Sequence, residues 1–336
     1  MSPSLGVPSG LPHLVHDAFV RAKTAGDLSF FPTQVALLRV HGVPFQLRFA
    51  PALAKKPKAA KPAGDKDKSA QPPTPFNPFE DPPPGLMVIP DVCGGTHRLV
   101  LNKFAISQDH SILATTTFRP QAHVLEATDL AAAYTCIEAY ADAGEELFVF
   151  FNSGSHSGAS QPHRHLQLLP VAKMREGLED GGSGWDVLVD RLIEGKSGEV
   201  PFYVAAARLS PGSTPSSLHT TYLDLYRQAR AAAQGTSAVI ATGDVDTTAE
   251  ESGDVPASIS YNLALTKETM AIIPRTAEGA SVTSDGGSLS LNGTVLAGTA
   301  LVKNEAEWDA LKSDSSRLEE VLAQIGVPLT RRTAAL

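Results

Sequence analysis

The chain of 336 residues has few cysteines and no long apolar run, and these absences narrow its possible classes. Cys93 and Cys136 are its only cysteines, too few for a disulfide framework, which favours a reducing compartment. No apolar run approaches the roughly 18 residues that span a bilayer, so no membrane association is predicted. The N-terminal stretch MSPSLGVPSG lacks the basic-then-apolar order of a secretion signal. We therefore expect a cytoplasmic location, which could include the nucleus.

Basic residues are outnumbered by acidic ones. The formal net charge is -8 at pH 7, which argues against a general nucleic-acid binder. A local group of lysines could still hold a small anionic substrate against that overall sign. The length predicts about two domains. The hydrophobic fraction of 42% and the mean hydropathy of -0.06 are typical of a globular protein with a buried core.

One segment, residues 54–85, has almost no large aliphatic side chains and is rich in Lys, Ala and Pro. Such a composition cannot offset the entropy of ordering by burial, so the segment is predicted to be a mobile insert. We expect it to be dispensable for chemistry, so that deleting residues 60–80 would leave turnover within a few-fold. An alternative role for one lysine near its start, Lys56, is contact with a polyphosphate.

Both halves of the remaining chain predict strands and helices. In the first half, VALLRVHGVPFQLRFAP predicts a hairpin, HRLVLNKF and HSILATTTF predict two strands, and ATDLAAAYTCIEAYADAG predicts a helix capped by Thr128 or Asp129. In the second half, SSLHTTYLDLYRQARAAAQ predicts a helix and ISYNLALTKETMAIIPRT a hairpin. Asn292-Gly293 predicts another hairpin turn, and a helical stretch follows from about Asn304 to Gln324. The recurrence predicts an α+β fold of two related modules, over residues 1–200 and 201–336.

The stretch SQPHRHLQLLP follows the glycine-bearing run NSGSHSGA. Three of its polar side chains stand at alternate positions: His163, His165 and Gln167. Side chains of a strand alternate between faces, so these three are predicted to share one face. The leucines between and after them share the opposite face with Arg164 and would look into a core. The polar row would then line a surface or a cleft.

Three interpretations of this row fit its spacing. Histidines two apart on a strand are a metal-ligand pattern, but a catalytic zinc needs a third protein ligand. The candidates for that ligand have no recognisable spacing: His97, His110, His123, His156 and His219. A nucleophilic imidazole is the second interpretation; its far nitrogen must be held as an N–H donor, and loop N–H groups must meet the phosphoryl oxygens. The third is an inert polar face.

The segment NSGSHSGASQPHRHLQLLP resembles the active-site segment of the fungal-type ATP adenylyltransferases, the diadenosine tetraphosphate phosphorylases. These belong to the histidine triad superfamily, on the branch shared with galactose-1-phosphate uridylyltransferase. VLNKF, FFNSG, SYNLALTKE, IIPR and LNGTVLAGTALVKN recur in matching order, so the resemblance covers nearly the whole chain apart from the insert. It implies two histidine-triad-like modules with antiparallel sheets and packed helices.

The resemblance also implies roles for individual residues. His165 is the nucleophile, His163 orients it, and Gln167 stands where hydrolases of the superfamily carry a third histidine. Contacts with the nucleotide are implied for Asn102, Lys103, Asn152, Gly158, Ala159, Ser160, Gln161, Gln167, Asn292, Gly293, Thr294, Thr299 and Lys303. Lys56 matches a phosphate-reaching lysine, in a stretch that is longer and more basic than the family pattern. No metal ligand is implied.

The implied reaction is the phosphorolysis of diadenosine tetraphosphate to ATP and ADP through AMP bound covalently to His165. Mg²⁺ is expected to accompany the polyphosphate, without a tightly bound cofactor. Because one chain holds both modules, we expect a monomer. The first step is expected to weaken below about pH 6.5, where an ordinary imidazole is protonated.

Two alternatives to this reaction stay open. One is another nucleotidyltransferase or a hydrolase of the same superfamily; Gln167 speaks against a hydrolase, and the absence of Cys-x-x-Cys speaks against a uridylyltransferase. The other is a non-catalytic sensor that binds dinucleoside polyphosphates, against which the intact His165 speaks. Turnover measured with and without phosphate separates the enzyme from the sensor.

Overall fold

The computed structural model describes residues 6–55, 77–182, 184–193, 200–235, 255–283 and 287–329. Lys56 and most of the Lys/Pro-rich insert lie outside the described residues. Within the described ranges, no helix combines the length and the apolar character that crossing a membrane requires.

Helices and strands alternate along the described chain. The α-helices are α1 Leu11–Ala25, α2 Ala127–Asp142, α3 Val171–Arg175, α4 Leu188–Arg191, α5 Pro215–Ala233, α6 Glu305–Ser313 and α7 Ser316–Ile325. The strands are β1 Ser29–Phe30, β2 Gln34–Val40, β3 Val43–Phe49, β4 Met87–Val92, β5 His97–Leu101, β6 Phe104–Ala105, β7 Ser111–Thr115, β8 Leu147–Ser153, β9 His165–Pro170, β10 Ala205–Arg208, β11 Tyr261–Leu265, β12 Thr269–Pro274, β13 Gly279–Ser281, β14 Ser288–Ser290 and β15 Thr299–Val302. Short 3₁₀ helices span Pro51–Lys55, Pro84–Leu86, Glu179–Gly182 and Gly293–Ala297.

An eight-stranded antiparallel sheet runs through both halves of the chain. Its order is β10-β12-β11-β8-β9-β7-β5-β4, and β8 pairs with β11 where the halves meet. A three-stranded sheet, β15-β3-β2, contains a parallel pair of β3 with β15. The fold is therefore α+β with antiparallel pairing dominant, as the sequence predicts. The predicted module boundary after residue 200 adjoins residues 194–199, which lie outside the described residues, and stays a prediction.

The large sheet is covered on both faces. Helices α1, α2 and α5 pack on one face, in a core that includes Leu166 and Leu168 of β9. The three-stranded sheet, α6 and α7 pack on the other, in a core that includes Leu169. Because strand side chains alternate, His165 and Gln167 face the second side with Leu169.

Most predicted elements are confirmed. β2 and β3 form a hairpin around His41-Gly42, and β11 and β12 form one around Lys267. Helices α2 and α5 and the pair β5–β7 lie where the periodicity places them. Alternation of apolar residues is therefore a sound guide to these elements.

Two local predictions were wrong. Neither Thr128 nor Asp129 caps helix α2, because the helix begins earlier, directly after Glu126. The Glu126 N–H donates to the Asp129 carboxylate at 2.7 Å, so Asp129 lies within the first turn and satisfies the capping residue from there. Asn292-Gly293 is not a hairpin turn: Asn292 Oδ1 accepts the N–H of Thr294 at 3.0 Å and caps the 3₁₀ helix Gly293–Ala297. The C-terminal helical stretch predicted from about Asn304 to Gln324 is confirmed, and it consists of α6 and α7, interrupted at Asp314.

The predicted extent of the insert also needs correction at its C-terminal end. Phe79 is buried, and the 3₁₀ helix Pro84–Leu86 places Leu86 in a core. Phe79 and Pro82 are buried and order this stretch by packing, whereas the lysine-rich composition earlier in the insert lacks such apolar side chains. The chain from Asn77 onward is thus part of the folded molecule.

Candidate active site

The histidine row lies at the beginning of β9, on the face of the large sheet that carries the three-stranded sheet. The strand starts at His165, and His163 precedes it in an isolated bridge with Pro120. On the opposite face, Arg164 is buried and its guanidinium donates to Asp129 of α2 at 2.9 Å. The predicted separation of the polar row from the leucine side is confirmed.

The proton on the His165 ring is placed by a backbone carbonyl. Nδ1 of His165 lies 2.8 Å from the carbonyl oxygen of His163, which can only accept, so Nδ1 carries the hydrogen. In a neutral ring, Nε2 then holds the lone pair. The main chain of His165 is fixed as well, because its N–H donates to Gln121 Oε1 at 2.8 Å. His165 therefore presents a nucleophilic nitrogen in one orientation.

The His163 ring is held at both nitrogens. Its Nε2 lies 2.8 Å from the carbonyl oxygen of Thr115, so Nε2–H is the donor. Its Nδ1 lies 2.7 Å from the amide nitrogen of Asn77 and accepts a hydrogen bond from it. His163 therefore acts on His165 through its main-chain carbonyl, the orienting role expected for it, while its ring serves as an anchor.

A chain of hydrogen bonds orients Gln167. The N–H of Phe104 donates to Asn102 Oδ1 at 3.0 Å, which turns the Asn102 amide nitrogen toward His110 Nδ1 at 3.1 Å. His110 Nε2–H then donates to Gln167 Oε1 at 3.1 Å. The Gln167 amide group is left to donate outward, as an oxyanion of a phosphoryl group requires. Asn102 is thus linked to Gln167 through His110, and its predicted contact with substrate stays a prediction.

Burial keeps the imidazoles of His165 and His110 neutral. Desolvation lowers the pKa of His165 to about 4, with a smaller lowering by the neighbouring His163 and an opposing hydrogen bond to its carbonyl. Desolvation likewise lowers the pKa of His110 to about 4, opposed by its hydrogen bond to Gln167. A neutral His165 keeps its lone pair across the physiological pH range.

Gln121 joins the two strands that carry the site. Its side-chain amide donates to the carbonyls of Asn152 in β8 and His165 in β9, at 2.9 and 3.1 Å. Gln121 is buried, and its oxygen accepts from the His165 N–H. One side chain therefore sets the distance between the nucleophile and the strand that leads into the glycine loop.

The two halves of the chain meet at Asn152. Its Oδ1 accepts from Asn262 Nδ2 and from the N–H of Gly293, both at 2.8 Å. Asn262 in turn donates to the carbonyl of Ser157 at 2.9 Å and accepts from the buried Arg275. Burial lowers the pKa of Arg275 to about 10, so its guanidinium stays charged at neutral pH. Residues from both halves thus hold the loop that follows β8.

At Gly158 that loop packs so closely against the C-terminal half that a side chain would not fit. Gly158 has φ +77°, and a Cβ there would lie 2.7 Å from the carbonyl oxygen of Leu291 and 2.8 Å from Cβ of Asn292. Ala159 and Ser160 are exposed and Gln161 is half-buried, so this part of the loop faces solvent beside β9. The structure therefore brings the loop, Asn292 and Gly293 together around Asn152.

The remaining predicted contacts are spread over other elements. Lys103 is exposed between β5 and β6, and Lys303 is exposed after β15. Thr294 donates from Oγ1 to the carbonyl of Thr299 at 3.1 Å. Thr299 is buried in β15, and its hydroxyl has no hydrogen-bond partner in the described part of the chain. Lys56 lies outside the described residues.

The geometry of the described residues does not support the metal interpretation of the histidine row. Within the described ranges, no three His, Cys, Asp or Glu side chains converge on a point that could hold an ion. Both ring nitrogens of His163 and Nδ1 of His165 are already engaged within the protein. The inert-face interpretation does not explain why the tautomers are set so fully. The nucleophile interpretation accounts for both observations.

Sequence reasoning missed several residues of the site. Asn262 and Arg275 lie in SYNLALTKE and IIPR, so the matched motifs held a signal for them. Gln121, Thr115 and Asn77 had none, because their partners are distant in sequence. His110 was noticed only as a possible metal ligand.

The fold and the site together define a class: an antiparallel α+β protein with a buried, neutral histidine beside a glycine-bearing loop. Comparison with known families agrees. The model of the Ap4A phosphorylase N-terminal domain matches residues 3–179, and that of the ATP adenylyltransferase C-terminal domain matches residues 198–328. The chain belongs to the Ap4A phosphorylase family of nucleotidyltransferases.

Characterised relatives match along their whole length. Diadenosine 5',5'''-P1,P4-tetraphosphate phosphorylase 2 of Saccharomyces cerevisiae is 29% identical over 339 residues, which cover 96% of this chain and 97% of the relative. Protein APA1 of the same yeast is 26% identical over 341 residues, covering 97% of each. The crystal structure of yeast Ap4A phosphorylase Apa2 in complex with Ap4A has a TM-score of 0.73 and 26% identity, over 96% of this chain and 99% of that one. The complex of Apa2 with AMP has a TM-score of 0.72 and 25% identity, over 97% and 99%.

Proposed function

We propose that this protein is an Ap4A phosphorylase that converts diadenosine tetraphosphate and phosphate into ATP and ADP through a covalent AMP–histidine intermediate. One observation carries the proposal: the His163 carbonyl holds the proton of His165 on Nδ1 and leaves a lone pair on Nε2. Family membership supports the reaction, because one matching yeast relative is named a diadenosine tetraphosphate phosphorylase and the matching yeast structure is that of Ap4A phosphorylase Apa2.

The transfer proceeds in two displacements at phosphorus. Nε2 of His165 attacks the α-phosphorus, a P–N bond forms, and ATP leaves as its P–O bond breaks. Inorganic phosphate then attacks the same phosphorus, the P–N bond breaks, and ADP is released with the imidazole neutral again. Dividing the transfer avoids one crowded encounter between anions.

The surrounding groups fit the charge of these steps. The Gln167 amide and the loop from Gly158 to Gln161 offer N–H donors to the equatorial oxygens of the reacting phosphoryl group. Lys103 and Lys303 are exposed cations from the two halves of the chain, and we assign them, with Lys56, to the polyphosphate. Mg²⁺ enters as part of the substrate complex, since the described residues offer no acidic cluster for it.

The proposal extends to the state of the protein in the cell. Because the strands of both halves form one sheet and share Asn152, one chain supplies both sides of the site, which supports a monomer. Two free cysteines support a reducing, cytoplasmic location. We do not assign a nucleic-acid partner, given the negative net charge.

Turnover of Ap4A with and without inorganic phosphate tests the function. We expect ATP and ADP in equal amounts, formed only when phosphate is present. Production of ATP and AMP without phosphate would indicate a hydrolase, and binding without turnover would indicate a sensor. Either result would overturn the proposal.

A further inference from the structure

The chain re-enters the fold at residues 77–80, here called the returning segment, and this segment covers the catalytic histidines. Phe79 is buried, and its ring centroid lies 4.8 Å from that of His165 and 5.8 Å from that of His163. Asn77 accepts the N–H of Phe79 on Oδ1 at 3.1 Å, so the turn that places the ring also places the asparagine amide. Two side chains of this segment thus touch the nucleophile or its orienting partner.

The hydrogen-bond direction at Asn77 is fixed. Because Oδ1 accepts from a backbone N–H, the amide nitrogen is the atom that faces His163 Nδ1, at 2.7 Å. The same nitrogen lies 3.3 Å from the Glu80 carboxylate, which also requires a donor there. His163 Nδ1 must therefore be unprotonated, since a proton on it would point at an N–H group.

The anchored ring in turn steadies the carbonyl that sets the tautomer of His165. His163 Nε2–H reaches the carbonyl and hydroxyl oxygens of Thr115 in β7, at 2.8 and 2.9 Å. With Asn77 on the opposite nitrogen, the imidazole is held across its full width between a sheet strand and the returning segment. Loss of either anchor would free the His163 side chain, and the main-chain carbonyl that accepts the His165 Nδ1–H would then lose the support of an anchored residue.

The charges around His163 make its protonation state sensitive to Asn77. Burial lowers the pKa of His163, with a smaller lowering by Arg98, whereas its hydrogen bond to Thr115 and the charge of Glu80 raise it. His165 also faces it, and is neutral. A carboxylate in place of the Asn77 amide would draw a proton onto Nδ1 and put a cation next to the nucleophile.

We propose that Asn77 is a positioning residue that acts on the nucleophile His165 through His163. Phe79 forms the apolar wall against which the His165 imidazole packs. This inference rests on the proposed function, because it concerns the rate at which His165 takes up AMP. The side chain of Asn77 makes its hydrogen bonds with Phe79, Glu80 and the His163 ring, and the nucleophilic ring of His165 is not among these partners. Its effect is therefore expected on the chemical step and not on substrate binding.

Asn77→Asp is the informative variant. It keeps an oxygen for the Phe79 N–H but replaces the donor to His163 by an anion. We expect adduct formation to slow by about 10-fold or more at neutral pH with KM nearly unchanged. The ratio of variant to wild-type rate should change by at least about threefold between about pH 6 and pH 9, because a new ionisation of His163 enters that range. A purely structural role predicts a ratio that is independent of pH.

The control is Asn304→Asp, the same change at the cap of α6, where the asparagine serves only as an acceptor for the N–H of Ala306 at 2.8 Å. We expect wild-type rates from it at each pH. If Asn77→Asp matches the control, the positioning role is refuted. If the wild-type enzyme itself forms no adduct, the proposed function fails instead, so the two failures are distinguishable.

A second measurement needs no variant. Histidine-selective ¹⁵N NMR of the wild-type protein reports the tautomer of each ring. We expect His163 with its proton on Nε2 and His165 with its proton on Nδ1. A protonated Nδ1 on His163 would contradict the proposal.

Discussion

At the scale of single residues, reactivity depends on which nitrogen of each ring carries a proton. In the His165, His163 and His110 rings, a hydrogen bond to a carbonyl or an amide of known direction decides this. The sequence alone could name the nucleophile through a motif. It could not show how the proton is held, because Thr115, Asn77 and Asn102 come from other elements.

The pH dependence of adduct formation follows from the buried state of His165. Its pKa is lowered to about 4, so the lone pair is present at neutral pH and is lost only as pH falls through about 4. The sequence-based expectation of a decline below about pH 6.5 used an exposed imidazole and is corrected by this burial. Rapid-mixing measurements of adduct formation, quenched in base, should show little change from about pH 8 to about pH 5.5. A midpoint between about pH 6 and 7, with circular dichroism unchanged, would mean that His165 is solvated.

The hydrogen-bond chain to Gln167 is tested by Asn102→Asp. The carboxylate would still accept the Phe104 N–H, but it would also accept a hydrogen bond from His110 and so hold the His110 proton on Nδ1. His110 Nε2 would then accept from the Gln167 amide group, and the Gln167 oxygen would turn toward the substrate. We expect kcat to fall by about 100-fold, the scale for losing one oxyanion donor. Asn102→Ala removes the chain without reversing it and should cost less. Equal losses in the two variants, seen mainly in KM, would show direct substrate binding by Asn102.

At the scale of elements, the site is made by the ends of β8 and β9 and the loop between them. Alternation along β9 predicted which side chains face the site, and this was confirmed. The turn at Asn292-Gly293 was misread, because a local Asn-Gly signal describes a hairpin only when both flanking segments pair. Here Gly293 is required by contact with Asn152 and Phe150, which no local pattern reveals.

Gly158→Ala tests the contact between the loop and the C-terminal half, with Gly144→Ala as its control. The two glycines have φ of +77° and +76°, but a Cβ on Gly144 would meet nothing within 4 Å. Backbone strain should therefore cost each variant about 1–2 kcal/mol of unfolding free energy. Only Gly158→Ala should also displace the loop and lower kcat/KM for Ap4A, by about 10-fold or more. Equal activities would show that the close packing at Gly158 is not needed for binding.

At the scale of the whole molecule, one antiparallel sheet joins the two halves, and Asn152 is shared between them. The recurring strand and helix patterns predicted the α+β class, and composition predicted the weakly apolar insert. It could not place the end of the insert, because the ordering of Asn77 and Phe79 depends on contacts with His163 and His165, which are far away in sequence.

Deletions within the insert separate its two parts. Removal of residues 60–74 should leave kcat within a few-fold, as the composition of that stretch predicts. Removal of residues 60–80, expected from sequence alone to be harmless, takes away Asn77 and Phe79 and should lower kcat by about 100-fold. Steady-state rates and the melting temperature of both variants check this. Equal kcat values for the two deletion variants would show that the returning segment does not contribute to the active site.

The most direct test of covalent catalysis is the adduct itself. Enzyme mixed with Ap4A without phosphate should carry one AMP per chain, in a bond that is labile in acid and stable in base, as a phosphoramidate is. Mass spectrometry of a peptide spanning Ser160 to Pro170 should place it on His165, phosphate should discharge it as ADP, and His165→Ala should form none. AMP on His163, or turnover to ATP and ADP with no adduct at any time, would contradict the mechanism.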